Sequence, residues 1–349
     1  MIKNFHPTWL LCVTAVAAMT AGCGPKNDAG TSTATPTSGS TSAAAAKTLE
    51  IAVIPKGTTH DYWKSVHAGA NKAQEELAKA GTNVDIQWKG PLREDDRNGQ
   101  IDVVQTFVTQ QVNGIVLAPL DNQALVRPVT DAVSAKIPVV IIDSSLNGND
   151  YASYVATNNE KGGELGGQEL AKVLGNNKRV LMMRYSQGSA STDQRETGFL
   201  KAIKADPGVQ LVSVDQYGGA TVDSAYKTAQ NLLVRFGTQI DGIFTPNETT
   251  TRGMLLALHD AGLLHKVKFV GFDSSPDLIA ALQAKELDGL VVQDPFKMGY
   301  LAVKTVVDDI QGKPFPKTID TGVTLVTPDN MNDPAIHALL NPPLDQYLK

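Results

Sequence analysis

Cysteine is nearly absent from this chain of 349 residues. Its two cysteines, Cys12 and Cys23, both precede residue 24, so the rest of the chain has no thiol for a disulfide, a thiolate metal site or a cysteine nucleophile. Charge is also sparse, since 19% of the residues are charged and the formal net charge is −5. No basic field exists to neutralise nucleic-acid phosphates, and we expect no nucleic-acid partner.

Catalytic signatures are missing as well. The chain contains no GxSxG, HExxH or CxxC pattern, so the usual nucleophile and zinc motifs do not occur. No pair of carboxylates has a recognisable acid/base spacing. We therefore expect neither an enzyme nor a bound metal or cofactor.

The first 47 residues have the pattern of a leader followed by a tether. A basic start at Lys3 and an apolar run over residues 9–19, too short to span a bilayer, indicate a signal peptide. The sequence TAGC at 20–23 resembles a bacterial lipobox, although Thr20 stands where Leu is usual. It predicts a lipoprotein signal peptide over 1–22 and a lipid anchor on Cys23, with an ordinary secretory signal as the alternative. Residues 23–47, rich in Gly, Ser, Thr and Ala, predict a disordered tether, and the expected location is periplasmic or at the cell surface.

From Thr48 onward, short β-branched runs alternate with helical patterns, which predicts parallel, doubly wound α/β sheets. The first set of runs ends near residue 157, and the pattern then restarts, so we expect two Rossmann-like lobes. The runs are LEIAVI (49–54), VDIQW (84–88), GIVLAP (114–119), PVVIID (138–143), SYVAT (153–157), RVLMM (179–183), VQLVSV (209–214), DGIFTP (241–246), VKFVGFD (267–273) and LDGLVVQ (287–293).

Polar and aromatic residues follow many of these runs, at the strand ends where open α/β sheets bind ligands. This wider set comprises residues 55–63, Asp143, Thr157 to Asn159, Arg195, Asn247, Asp273 and Gln293. Its amides, carboxylates, guanidinium and adjacent aromatics suit a sugar, whose hydroxyls donate and accept while its C–H faces stack on rings.

The chain resembles the ribose-binding-protein group of type I periplasmic binding proteins from Thr48 to about Asp329. The motifs that carry the resemblance include IAVIPKGTTHDYW, NGIVLAPLDNQAL, IPVVIIDSS, ASYVATNNEKGGELGG, FTPNETTTRGMLLAL, VGFDSSPDLIAAL and VVQDPFKMGYLAV. The resemblance implies a hinge of three crossings near 157–158, 293–294 and 321–324. It implies a first lobe of 48–157 plus 294–322 and a second lobe of 158–293 plus 323–349.

The same resemblance implies which residues bind a small sugar or polyol. The aromatic pair that packs on the sugar ring corresponds to Tyr62 and Trp63. The residues expected to bind hydroxyls are Asp143, Arg195, Asn247, Asp273 and Gln293, with Lys56, His60, Thr157 and Asn158 completing the predicted site.

Several positions depart from the ribose-binding pattern. Lys56 and His60 stand where Ser and Asn are usual, while Ala118, Ser144 and Ala220 replace an Asn, a second Arg and a Phe. Ribose itself is therefore disfavoured, and the residues favour a neutral pentose, hexose or polyol.

Two other patterns are interpreted as structural. The run from Glu94 to Arg97 fits a helix start and a solvated face better than a metal cluster. The pairs Gly162-Gly163 and Gly166-Gly167 match no phosphate-binding motif and predict close packing of a helix on a sheet.

The implied function is a monomeric solute-binding component that delivers its ligand to the permease of an ABC importer. A periplasmic sensor that presents the liganded form to a chemoreceptor or histidine kinase is the alternative. A sugar-responsive repressor shares this fold but requires a DNA-binding headpiece, whereas residues 1–47 predict a signal and a tether.

Overall fold

The computed structural model describes residues 48–175 and 178–348, and the predicted signal peptide, anchor and tether lie outside them. The strands described are β1 Leu49–Ile54, β2 Val84–Trp88, β3 Gly114–Leu117, β4 Val139–Ile142, β5 Ser153–Ala156, β6 Lys178–Met182, β7 Val209–Ser213, β8 Gly242–Phe244, β9 Lys268–Phe272, β10 Gly289–Gln293, β11 Thr318–Asp320 and β12 Val323–Val326. The helices described are α1 Asp61–Lys79, α2 Arg97–Gln110, α3 Val126–Ser134, α4 Asn159–Leu174, α5 Ala190–Ile203, α6 Val222–Phe236, α7 Glu248–Asp260, α8 Pro276–Gln283, α9 Pro295–Ile310, α10 Pro334–Leu340 and α11 Leu344–Tyr347. None of these helices has an apolar stretch of the length needed to cross a bilayer.

The strands form two six-stranded sheets with the same arrangement. The orders are β11-β5-β4-β3-β1-β2 and β12-β10-β9-β8-β6-β7. Neighbouring strands are parallel except for β10 and β12, which pair antiparallel. Central strands such as β3 and β4 are buried at every position, because helices cover both faces of a parallel sheet.

Each sheet is the centre of one lobe. In the first lobe, α1 and α9 pack on one face and α2 and α3 on the other. In the second lobe, α4 and α5 cover one face, while α6, α7, α8 and α10 cover the other. The chain passes between the sheets after β5, after β10 and between β11 and β12. These two α/β lobes with three crossings confirm the predicted fold class.

The end of the chain departs from the predicted lobe assignment. Residues 323–349 were all expected in the second lobe, but α11 lies on α1 of the first lobe. The side-chain amide of Asn71 donates to the carbonyl oxygen of Tyr347 at 2.8 Å. The prediction is therefore wrong for α11, whose position depends on this distant contact.

The glycine pairs of α4 allow the helix to approach both the sheet and α5. A Cβ at Gly162 would lie 2.8 Å from the ring of Phe272, and a Cβ at Gly166 would lie 2.6 Å from the ring of Phe244. A Cβ at Gly163 would lie 1.9 Å from the carbonyl oxygen of Arg195. The pattern thus serves close packing, and it sets the distance of α5 from α4.

We expect Gly163→Ala to lower the free energy of unfolding by about 2–3 kcal/mol, measured by urea denaturation. Helix propensity alone would favour alanine by up to about 1 kcal/mol. The sign of the change in the free energy of unfolding therefore shows whether the steric clash or helix propensity dominates. Gln168→Ala, an exposed change on the same helix, is the matched control. A stabilised Gly163→Ala variant would contradict the close approach.

Candidate functional site

Two aspartates occupy equivalent places in the two lobes. Asp143 follows β4 and Asp273 follows β9, and these strands hold the same position in their sheets. Both residues have left-handed backbones, with φ of 60° and 67°. Such conformations are costly for residues other than glycine and often mark functional sites. Each sheet thereby presents one buried carboxylate at the carboxyl end of its strands, where the lobes face each other.

The guanidinium group of Arg195 lies between the two carboxylates. Its nitrogens are 3.8 Å from Asp143 Oδ1 and 3.7 Å from Asp273 Oδ2, too long for hydrogen bonds. Its Nε donates to Asn159 Oδ1 at 2.8 Å, and Nη1 donates to the carbonyl oxygen of Pro246 at 3.0 Å. The group also stacks on Phe272, 4.1 Å from the ring centre. These contacts hold a side chain that is only 2% exposed, while Nη2 has no hydrogen-bond partner.

Asp273 is held by groups of its own lobe. It accepts from the side-chain amide of Gln293 at 2.7 Å and from the backbone N–H of Glu248 at 3.0 Å. Burial raises the pKa of Asp273, although the charge of Arg195 and the Gln293 hydrogen bond act against this. Gln293 donates here through its amide nitrogen, and its Oε1 is buried without a hydrogen-bond partner.

Asp143 is held mainly by first-lobe side chains. Lys56 Nζ lies 2.7 Å from one carboxylate oxygen, and the Tyr62 hydroxyl donates to the other at 3.0 Å. Lys56 also donates to Ser191 Oγ of the second lobe at 3.2 Å. Ser144 Oγ accepts from the backbone N–H of Ser191 at 3.0 Å. Polar contacts therefore connect the two lobes in this structure.

Glu94 corrects the interpretation of the acidic run as a solvated face. Asp95 and Asp96 are exposed, and Asp96 caps α2, but Glu94 is 7% exposed. Its carboxylate accepts from Trp63 Nε1, contacts His60 Nδ1 at 3.0 Å and accepts from a second-lobe tyrosine hydroxyl, Tyr185 Oη. Glu94 is thus a buried acceptor that fastens the loop after β2 to the start of α1.

The Glu94–His60 pair is charged in the folded protein. Burial opposes the charge on Glu94, but the hydrogen bond and charge of His60, followed by Lys56 and Tyr185, lower its pKa to about 2. Burial likewise opposes the charge on His60, but Glu94 raises its pKa to about 9. The pair is ionised across the neutral range and adds little net charge to the site.

Glu248 is a second buried carboxylate that the sequence reasoning missed. Burial, reinforced by the charge of Asp273, raises its pKa to about 7, while His60 acts in the opposite direction. Its carboxylate accepts from the backbone N–H of Tyr62 at 3.3 Å, so it joins the second lobe to the start of α1.

Nine of the eleven predicted residues line one small cavity between the lobes: Lys56, His60, Tyr62, Trp63, Asp143, Arg195, Asn247, Asp273 and Gln293. Residues lining it that were not predicted are Glu94, Tyr185, Ser189, Ser191, Thr192 and Glu248. The serines and Thr192 gave no signal in the sequence. Glu248 directly follows the predicted Asn247, and that adjacency was the available clue.

Two predicted residues do not line this cavity. Asn158 is exposed and caps α4 by accepting from the backbone N–H of Lys161. Thr157 lies at the crossing after β5, where its hydroxyl donates to the carbonyl oxygen of Gly322 at 3.2 Å. The neighbouring Asn159, part of the wider set, is the residue that contacts Arg195. The prediction is thus corrected by one position for the asparagine.

The cavity can bind a small molecule with many hydroxyl groups. Its volume is about 30 Å³, and a hinge joins the two lobes that enclose it, so we expect a ligand to enter when the lobes separate. Carboxylates, a guanidinium, amides and hydroxyls face it from both lobes, beside the rings of Tyr62 and Trp63. Within residues 48–175 and 178–348, no group of three His, Cys, Asp or Glu side chains is arranged to hold a metal ion.

Comparisons with known proteins agree on one kind of molecule. A family model described as a periplasmic binding protein domain matches residues 51–314. The chain is 29% identical to the ribose import binding protein of Bacillus subtilis over 286 residues, which cover 80% of this chain and 88% of the relative. It is also 29% identical to the D-allose-binding periplasmic protein of Escherichia coli, in an alignment that covers 79% of this chain and 89% of the relative.

Solved structures show the same architecture. A carbohydrate transporter solute binding protein from Agrobacterium radiobacter, in complex with D-arabinose, is 34% identical with a TM-score of 0.79. The similarity covers 84% of this chain and 99% of that one. An ABC transporter solute binding protein from Agrobacterium vitis with bound D-fucose is 33% identical, with a TM-score of 0.79. The similarity covers 84% of this chain and 100% of that one.

We expect the Glu94–His60 pair to give the protein a bell-shaped dependence of stability on pH. The ionised Glu94 carboxylate stabilises the fold fully above its ordinary pKa of 4.5, and this stabilisation is lost as the pH falls towards its lowered pKa of about 2. The protonated His60 ring stabilises the fold fully below its ordinary pKa of 6.5, and this stabilisation is lost as the pH rises through its raised pKa of about 9. Glu94→Gln should therefore lower the free energy of unfolding most, by about 3 kcal/mol, between pH 4.5 and 6.5.

Thermal unfolding of wild type and Glu94→Gln across pH 3–10 measures this difference. Asp95→Asn, which neutralises the exposed neighbour, is the control and should follow wild type. If the difference in stability between wild type and Glu94→Gln stays constant across this pH range, the pair is not ionised as described.

Proposed function

The chain belongs to the periplasmic binding protein family, as its sequence motifs indicated, and we propose that it captures a neutral monosaccharide or polyol for an ABC importer. Membership rests on the family model that matches residues 51–314. The named relatives bind ribose and allose, and the similar structures hold arabinose and fucose. Because these proteins are import binding proteins and transporter components, the sensor alternative is not favoured.

One observation carries the proposal. Arg195 and Gln293 line the cavity, and Arg195 Nη2 and Gln293 Oε1 are buried without hydrogen-bond partners. Leaving such groups unpaired typically costs about 1–3 kcal/mol each. A sugar hydroxyl satisfies both kinds of group, since it accepts from a guanidinium and donates to an amide oxygen. We propose that hydroxyls of the bound sugar complete these two hydrogen bonds.

The charges around the cavity support a neutral ligand. Lys56 is paired with Asp143 at 2.7 Å, and His60 with Glu94 at 3.0 Å. The charge of Arg195 is shared between two aspartates. No cation that lines the cavity is left to neutralise a sugar acid or sugar phosphate, because each has a carboxylate within 4 Å. We propose that pentoses, hexoses and polyols are preferred over anionic derivatives.

Ligand capture then requires hinge motion. The lobes are connected by three crossings, and polar contacts such as that from Lys56 to Ser191 join them across the cleft. We propose that the open form admits the sugar and that closure surrounds it. The closed, liganded form then delivers the sugar to the permease as a monomer.

We further propose that the protein acts outside the cytoplasm. The family name supports a periplasmic location, and the leader pattern supports a lipid anchor on Cys23, in line with a carrier that stays close to its transporter. No enzymatic step is part of this proposal, since the site's buried groups are arranged to bind hydroxyls.

A thermal-shift screen against pentoses, hexoses, polyols and sugar acids should identify the ligand, because a ligand that binds only the folded state raises its stability. Gln293→Leu removes Oε1 and should weaken calorimetric binding of that ligand about tenfold or more. Arg127→Lys, an exposed change on α3, should bind as wild type does. Unchanged affinity in Gln293→Leu would remove this residue from the site.

Cys23→Ser should release the protein from membranes without changing its sugar affinity, because the proposed anchor lies outside the sugar-binding lobes. Fractionation of cells that express each form measures the release, and Cys12→Ser is the matched control. A Cys23→Ser protein that stays in the membrane fraction would exclude the lipid anchor.

A further inference from the structure

The C-terminal segment is anchored in the second lobe through α10. Met331 and Leu340 are buried, and Ile336 and Leu339 pack against the same apolar core, which α6, α7 and α8 form on one face of the sheet. Leu340, the last residue of α10, is 7% exposed. This anchor is therefore apolar and well packed.

Seven residues after Leu340, the same segment contacts the first lobe through Tyr347. The amide of Asn71 on α1 donates to the carbonyl oxygen of Tyr347 at 2.8 Å. The ring of Tyr347 is 5.7 Å from the ring of Phe296, which belongs to α9. Both partners are first-lobe helices, so the segment connects the lobes in addition to the three crossings of the hinge.

The link between the two anchors is short and stiff. Residues 341–343 separate α10 from α11, and two of them are Pro342 and Pro343. Four Cα-to-Cα steps from Leu340 to Leu344 span at most about 14 Å when fully extended. Proline fixes φ, which further limits any change in length. The link therefore cannot stretch to follow a large separation of the lobes.

This segment covers one flank of the cleft. A cavity of about 640 Å³ lies between the start of α1, the loop after β9 with the start of α8, and residues 339–346. Tyr62, Asp273 and Gln293 line both this cavity and the proposed sugar site. The covered flank thus adjoins the site directly.

Opening the lobes beyond the reach of this link must unwind α11 or detach one of the two anchors. The α10 anchor buries apolar side chains in a core. The α11 anchor has four residues, none of them buried, and is held by the Asn71 hydrogen bond and the Phe296 contact. Since burial stabilises the first anchor far more, α11 is the end that releases.

We propose that residues 341–348 form a strap that holds the lobes closed and releases α11 from α1 when they open. The effect on sugar release rests on the proposed function, whereas the effect on lobe separation does not. A strap that favours the closed form slows dissociation of the ligand that the lobes enclose.

The double variant Asn71→Ala/Tyr347→Ala weakens the α11 anchor and leaves α10 in place. In small-angle X-ray scattering without sugar, its radius of gyration should exceed that of wild type. In stopped-flow dissociation with the sugar found in the screen, release should be about fivefold faster or more. His337→Ala, an exposed change on α10, should match wild type in both measurements.

A second variant, which ends after Pro343, removes α11 entirely and should show the same changes at least as strongly. Thermal unfolding of both variants checks that they remain folded. A wild-type radius of gyration and a wild-type release rate in both variants would overturn the strap. If no sugar binds, the proposed function fails, but the scattering measurement without sugar still decides the strap.

Discussion

The position of the Arg195 guanidinium between two aspartates is the constraint on which this structure depends. Nη1 and Nη2 lie 3.7 Å from Asp273 and 3.8 Å from Asp143, and these carboxylates belong to different lobes. A buried cation is stable only when charges and hydrogen bonds compensate for its lost hydration, and in the closed lobes Asp143 adds a first-lobe charge to the partners that the second lobe provides. Asn159 and the ring of Phe272 orient it. The closed geometry therefore buries this arginine while it leaves Nη2 without a protein hydrogen-bond partner.

Much of the fold was predictable because fully buried parallel strands appear in the sequence as hydrophobic runs. The run predicted at 138–143 is β4, Val139–Ile142, and that at 287–293 contains β10, Gly289–Gln293. The edge strands β11 and β12 were not predicted, because they are only three and four residues long and are partly exposed. The position of α11 was not predictable either, since it depends on Asn71, which is 276 positions away from Tyr347.

The residues expected at the cleft were predictable in type, because strand ends and family motifs mark them, but local detail was not. Asn158 and Asn159 are chemically identical neighbours, and only the backbone at the start of α4 decides which one caps the helix. Glu94 lies in a run of acidic residues that is typical of a solvated helix start. Its burial arises from Trp63 and from Tyr185 of the other lobe, contacts that no local pattern contains.

A crystal structure of the protein with the sugar that the screen identifies is the most direct test of the proposed binding site. The sugar should lie between the closed lobes, with hydroxyl oxygens about 3 Å from Arg195 Nη2 and from Gln293 Oε1. A ring of Tyr62 or Trp63 should contact a C–H face of the sugar. A sugar bound elsewhere, or bound in the cleft with both of these polar atoms still unpaired, would contradict it.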